Sequence, residues 1–205
     1  MRHGRGEGEM PVRVMLVAPA VNEGLRQARF GGDSPLDEVG KQQARAAAAG
    51  LPQSTMQTSS PSLRCRQTAT VLGLNAQPLT ELDDLDMGRW HGRSLEEVTE
   101  SEPQAVAAWL SDPDAAPHGG ESLTRLVGRV GAWLNDRAEG TERVLAVVEP
   151  AVIRAALVHA LGLPPQVFWR LDVRPLSLTE ITGRAGRWNL HCGRPLAPVA
   201  ATTGP

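Results

Sequence analysis

"VRVMLVAPAVNEGLRQARFGGDSPL", residues 12–36, decides how the chain is read. Its first seven residues, 12–18, form an apolar run of strand length, which predicts a central strand buried on both faces. The run ends in Ala18, Pro19, Ala20 and Val21, and a polar stretch then leads into a predicted helix over 36–50 that stops at Gly50, with Pro52 just beyond. A buried strand, a turn and a helix in that order are one unit of an α/β domain.

The same alternation continues along the chain. A short strand is predicted around Met56 to Ser59 and a helix from Pro61 to Leu72, with Pro in the first turn where its missing N–H costs nothing. Residues 95–110 divide into two helical pieces at Pro103. Over 121–138, Leu123, Leu126, Val127, Val130, Trp133 and Leu134 fall on one stripe of a helix. Val144 to Val148 repeat the buried-strand pattern, a helix over Ala151 to Leu161 follows, and 176–191 read as an edge hairpin around Gly183 to Gly186. Strands that alternate with helices imply a three-layer α/β/α sandwich around a mostly parallel sheet. One domain over 12–192 is expected, with frayed tails at 1–11 and 193–205.

The bulk chemistry narrows the partners. A net charge of -2 and a pI near 6.2 offer no concentrated basic face for nucleic acid or an anionic membrane. No apolar run approaches the roughly 20 residues of a membrane span. The start lacks the apolar core of a signal peptide, so a cytoplasmic protein is expected. Cys65 and Cys192 are too far apart in sequence to suggest a disulfide framework, and no set of His, Cys, Asp and Glu has metal-ligand spacing, so neither metal nor cofactor is expected. A homodimer is compatible with these features.

In open α/β sheets ligands bind beyond the carboxyl ends of the strands, which brings 18–22, 59–64 and 149–152 to one rim. Five motifs then occur in order: "RFGGDSPLDEVGKQQA" at 29–44, "SSPSLRCRQTA" at 59–69, "LDDLDMGRWHGRSLEE" at 82–97, "HGGES" at 118–122, and "VIRAAL" at 152–157 followed by "PLSLTEI" at 175–181. With these the chain resembles the histidine phosphatase superfamily, the phosphoglycerate-mutase-like proteins. The resemblance implies a phosphohistidine at the end of the first strand, within an Arg-His-Gly motif, and a second His after the later strand. Here those positions are Ala18, Pro19 and Ala20, and Glu149. The Arg2-His3-Gly4 sequence sits in a polar tail ahead of the strand and is read as coincidence.

By the same resemblance Arg64 matches the second phosphate-binding Arg and Asp84 the proton-donating Glu. Phosphoryl transfer needs a nucleophile and a nest of cations, and Pro and Ala supply neither. The pocket is therefore expected to be less cationic and more apolar, and repurposed for a partly apolar small organic metabolite and for acid/base chemistry such as cyclisation, dehydration or isomerisation. The alternatives are a non-catalytic pseudophosphatase that binds a ligand or protein, and a residual phosphatase or mutase.

Glu149, Asp84 and His118 are the candidate proton-transfer groups; Arg64, Asn22, Arg29, Pro19, Val21, Trp90, His91 and Ala151 are the candidate ligand-binding residues. Each has a plainer reading. Glu149 can be a general base with a pKa raised by its apolar neighbours or a carboxylate salt-bridged to Arg64. Asp84 can be a solvated loop acid, and His91 and His118 can face solvent.

Overall fold

The computed structural model describes residues 10–31 and 34–192. The sheet has six strands in the order β3-β2-β4-β1-β5-β6. These are β1 (Val12–Val17), β2 (Met56–Ser59), β3 (Gln77–Pro78), β4 (Arg143–Val147), β5 (Leu178–Arg184) and β6 (Arg187–His191). The first four are parallel, whereas β5 runs antiparallel to both β1 and β6. The sheet is thus mixed but mostly parallel, its four parallel strands carrying the predicted crossovers.

Strand β1 is buried on both faces, as its unbroken apolar run requires. Val12, Val14 and Leu16 join the larger core with Leu126, Val130 and Ile153, while Met15 and Val17 pack with Cys65, Ala69 and Leu72 on the other side. Helices cover both faces: α1 (Glu23–Arg26), α2 (Glu38–Ala47), α3 (Leu63–Val71), α4 (Leu95–Ser101), α5 (Pro103–Ser111), α6 (Leu123–Asn135) and α7 (Pro150–Ala160). Among the described residues no helix is long and apolar enough to cross a membrane. The tails expected at 1–11 and 193–205 lie outside the described residues except for residues 10 and 11, and so does the Arg-His-Gly sequence at 2–4.

Local chemistry fixes the loops that reach the rim. Helix α3 begins at Leu63, two residues later than Pro61 suggested, because the Ser62 hydroxyl caps it by accepting the Cys65 N–H. After β1 the chain is held by the Ala20 N–H donating to Thr68 Oγ1 at 3.1 Å. Asn22, 2% exposed, caps α1 by accepting from Leu25 N and donates its amide to the Ser34 carbonyl at 2.8 Å. Asn22→Ala is expected to cost about 1–2 kcal/mol of stability, since the cap and a buried carbonyl partner go together; urea unfolding measures it.

Candidate functional site

At the carboxyl end of β1, β2 and β4 lies a cavity of about 570 Å³. The loops after β2 and β4 supply Pro61, Ser62, Arg64, Glu149, Pro150 and Ala151, and the segment from Asp83 to Met87 forms a further wall. Arg129 of α6 holds that wall, donating to the carbonyls of Glu81, Asp83 and Asp84 at 3.0, 3.0 and 3.3 Å while pairing with Glu121. Gly120 lets the next loop approach it, for a Cβ there would collide with the Asp86 carbonyl.

Arg64 and Glu149 dominate the centre. The Arg64 guanidinium grips both oxygens of the carboxylate, with Nε 3.2 Å from Oε1 and Nη2 on Oε2. Ser62 Oγ donates to Oε1 at 2.8 Å and the Cys65 thiol lies 3.5 Å from the same oxygen. The pair is deeply placed, with side chains only 11% and 6% exposed. Burial works against the charge on Arg64, yet the facing Glu149 carboxylate holds its pKa above the ordinary value. Burial also raises the Cys65 thiol well above its usual range, and the Glu149 charge adds to that.

The perturbed acid is Asp84. Burial, reinforced by the negative charge of Glu149, raises its carboxyl to about 7, against the opposing pull of the Leu85 N–H and Arg64. Near neutral pH Asp84 therefore exists in both protonation states, as a proton-transfer group requires.

Of the residues expected at the site, Glu149, Asp84, Arg64, Asn22, Arg29, His91 and Ala151 line this cavity. Asn22 and Arg29 are largely committed elsewhere: Asn22 caps α1, and Arg29 bonds Gln27, the Gly92 carbonyl and Glu97. The remaining expectations need correction. Pro19 is buried, and neither it nor Val21 lines the cavity.

Trp90 is wholly buried, and His118, 1% exposed, packs against it with ring centroids 5.2 Å apart. His118 Nδ1 accepts the Gly120 N–H, and burial lowers its pKa, so it belongs to the aromatic core and not to the rim. The expected apolar character also needs revision. Asp83, Asp84, Asp86 and Glu149 line the cavity against Arg29 and Arg64, an excess of acid. Ser62, Asp83, Asp86 and Met87 were missed; the acidic string at 81–86 and the Ser ahead of the α3 helix were the available signals. Among the described residues no group of His, Cys, Asp and Glu is placed to hold a metal ion.

The comparisons with known proteins agree on the family. The model of the histidine phosphatase superfamily, branch 1, matches residues 1–193. The chain is 32% identical over 183 residues to the bifunctional protein Rv2228c of Mycobacterium tuberculosis, a match that takes in 83% of this chain but 50% of that protein. It thus spans half the length of this relative. It is also 30% identical over 181 residues to phosphoserine phosphatase 1 of Hydrogenobacter thermophilus, covering 83% of this chain and 86% of that one. A solved mycobacterial glucosyl-3-phosphoglycerate phosphatase in complex with VO3 superposes with a TM-score of 0.77 at 28% identity, over 87% of this chain and 96% of that one.

Proposed function

The chain belongs to the histidine phosphatase superfamily, branch 1, and we propose that its pocket acts on a partly apolar small organic metabolite, neutral or cationic, by proton transfer without a phosphohistidine. One observation carries this reading. The guanidinium best placed to receive a ligand's anionic group, Arg64, is already gripping the protein's own Glu149 carboxylate. With Asp83, Asp84 and Asp86 on the adjoining wall, the cavity repels a dianionic phosphate ester and tolerates a neutral or cationic molecule. Asp84, with a pKa raised to about 7, serves as the proton donor, and Glu149 with Arg64 orients the substrate. Cyclisation, dehydration and isomerisation are the reactions this equipment suits.

A second reading, phosphate-ester hydrolysis, is favoured by a different observation. The relatives include a phosphoserine phosphatase and glucosyl-3-phosphoglycerate phosphatases, and these support retained phosphatase activity over its loss. Two measurements separate the readings. On the first, p-nitrophenyl phosphate releases no phosphate above the protein-free rate. A neutral or cationic metabolite from a thermal-shift library raises the melting temperature of the parent, and Glu149→Gln and Asp84→Asn diminish that rise. Phosphate release that disappears in Arg64→Ala and Asp84→Asn, measured below their melting temperatures, would establish the second reading and remove the first.

A further inference from the structure

We propose that Ser62 is a nucleophile for acyl transfer, attacking the carbonyl carbon of a small neutral or cationic carboxylic ester bound in the same cavity. Ser62 lines the cavity and its hydroxyl proton already points at a buried carboxylate, with Oγ 2.8 Å from Glu149 Oε1. That distance is the nucleophile-to-base spacing of serine enzymes, where an adjacent base removes the proton as attack begins. Oγ also receives the Cys65 N–H at 3.2 Å, at the N-terminus of the nine-residue helix α3. A hydrogen-bond donor and the positive end of a helix both favour negative charge building on that oxygen. Arg64, two residues further on, stands on the same carboxylate and supplies the cation.

The charges of the cavity select the substrate. Three carboxylates and the partly protonated Asp84 face two arginines, and both arginines are paired, Arg64 with Glu149 and Arg29 with Glu97. A phosphate ester meets repulsion there, whereas an uncharged ester or one bearing an ammonium group does not. A volume near 570 Å³ suits a small molecule.

Ser62 Oγ bonds to the carbonyl carbon, its proton passes to Glu149, and the carbonyl π pair moves onto the oxygen. Glu149 is then neutral, so Arg64 exchanges a carboxylate partner for the new oxyanion. Collapse breaks the bond from carbon to the alcohol oxygen, and the leaving alkoxide takes the proton from Glu149. Water adds to the acyl-serine with Glu149 as base, giving the carboxylic acid and regenerating Ser62. The net reaction is ester plus water to acid plus alcohol, with no further reagent.

This activity goes beyond the proton-transfer reading and fails separately from it. An isomerase or dehydratase with no covalent intermediate leaves Ser62 unmodified, and the phosphatase reading is decided by phosphate release. The test treats the full chain with phenylmethylsulfonyl fluoride, maps the adduct by mass spectrometry, and follows hydrolysis of p-nitrophenyl acetate and acetylthiocholine. One sulfonyl group on Ser62 is expected, together with ester turnover that falls at least 100-fold in Ser62→Gly. Glycine is the useful variant because it caps a helix nearly as well as serine, so a folded protein lacking only the hydroxyl is obtained; its melting transition verifies this. Glu149→Gln, which removes the base that faces the hydroxyl, lowers ester turnover as well, at a temperature below its melting transition. Turnover unchanged in Ser62→Gly, an adduct elsewhere only, or neither adduct nor turnover in the parent overturns the proposal.

Discussion

Replacing Arg64 by alanine lowers the stability of the protein by about 3–5 kcal/mol, the cost of leaving a buried carboxylate without its cation. In a chain of this size each kcal/mol moves the melting temperature by roughly 2–4 °C, so a fall of roughly 6–20 °C is expected by calorimetry. The reason lies in the numbers at the pair. With side chains 11% and 6% exposed, neither partner can turn to water when the other is removed. The carboxylate would keep the Ser62 hydroxyl and the Cys65 thiol, two neutral donors, in exchange for a bidentate guanidinium.

Removing both charges is a different matter. Arg64→Met combined with Glu149→Leu should recover most of the loss, because a buried pair can be exchanged for apolar groups of similar volume at little net cost. A double-mutant cycle then yields a coupling of 0.5–3 kcal/mol or more, as expected for groups in direct contact. If Arg64→Ala melts within about 1 kcal/mol of the parent, the carboxylate is hydrated and the argument that it fills the anion position fails.

How much of this was legible in the sequence depends on which force placed each residue. Strand β1 and helix α6 were readable because burial alone dictates their patterns, an unbroken apolar run and a stripe at helical spacing. Strand β3 was not. Gln77 and Pro78 are exposed and carry no apolar signal, and they are a strand only because β2 pairs with them, Thr58 with Gln77 and Ser59 with Pro78. The hairpin was readable from its glycines, but not that β5 runs antiparallel beside the central strand.

The site divides along similar lines. Arg64 and Glu149 follow predicted strands, and topology brings the ends of parallel strands together, so their encounter could be anticipated. His118 and Trp90 could not be placed, because a loop position does not say whether the side chain turns toward the rim or the core. Here Phe30, Trp90 and Trp109, with ring centroids 5.7–5.8 Å apart, draw the loop inward and His118 with it. Of the two readings open for Glu149, a base among apolar neighbours and a carboxylate paired with Arg64, the structure shows the pair. The raised carboxyl is that of Asp84, where the charge of Glu149 adds to burial, an interaction between residues 65 positions apart that no local pattern displays.

Asp84→Asn is accordingly expected to stabilise the protein at pH 8 and to have little effect at pH 4. The folded state holds the Asp84 proton up to about 7, whereas in the unfolded chain the group loses it near its ordinary value of 3.8. Between those values the folded state binds more protons than the unfolded state, so the stability of the parent falls as pH rises through the window. Below pH 3.8 the contribution is fully present, and above about 7 it is gone. At roughly 1.4 kcal/mol for each pH unit, the interval sets an upper bound near 4 kcal/mol. Asparagine keeps the shape and carries no charge, so it removes this pH dependence while leaving the wall at 83–87 in place. Melting temperatures of parent and variant measured from pH 4 to 8 should therefore diverge steadily, with the variant higher at the alkaline end. Parallel curves would mean that Asp84 is hydrated and ionised throughout, and the cavity would then lack a proton donor at neutral pH. That outcome would remove the acid from the proposed proton transfer while leaving Ser62 and Glu149 untouched.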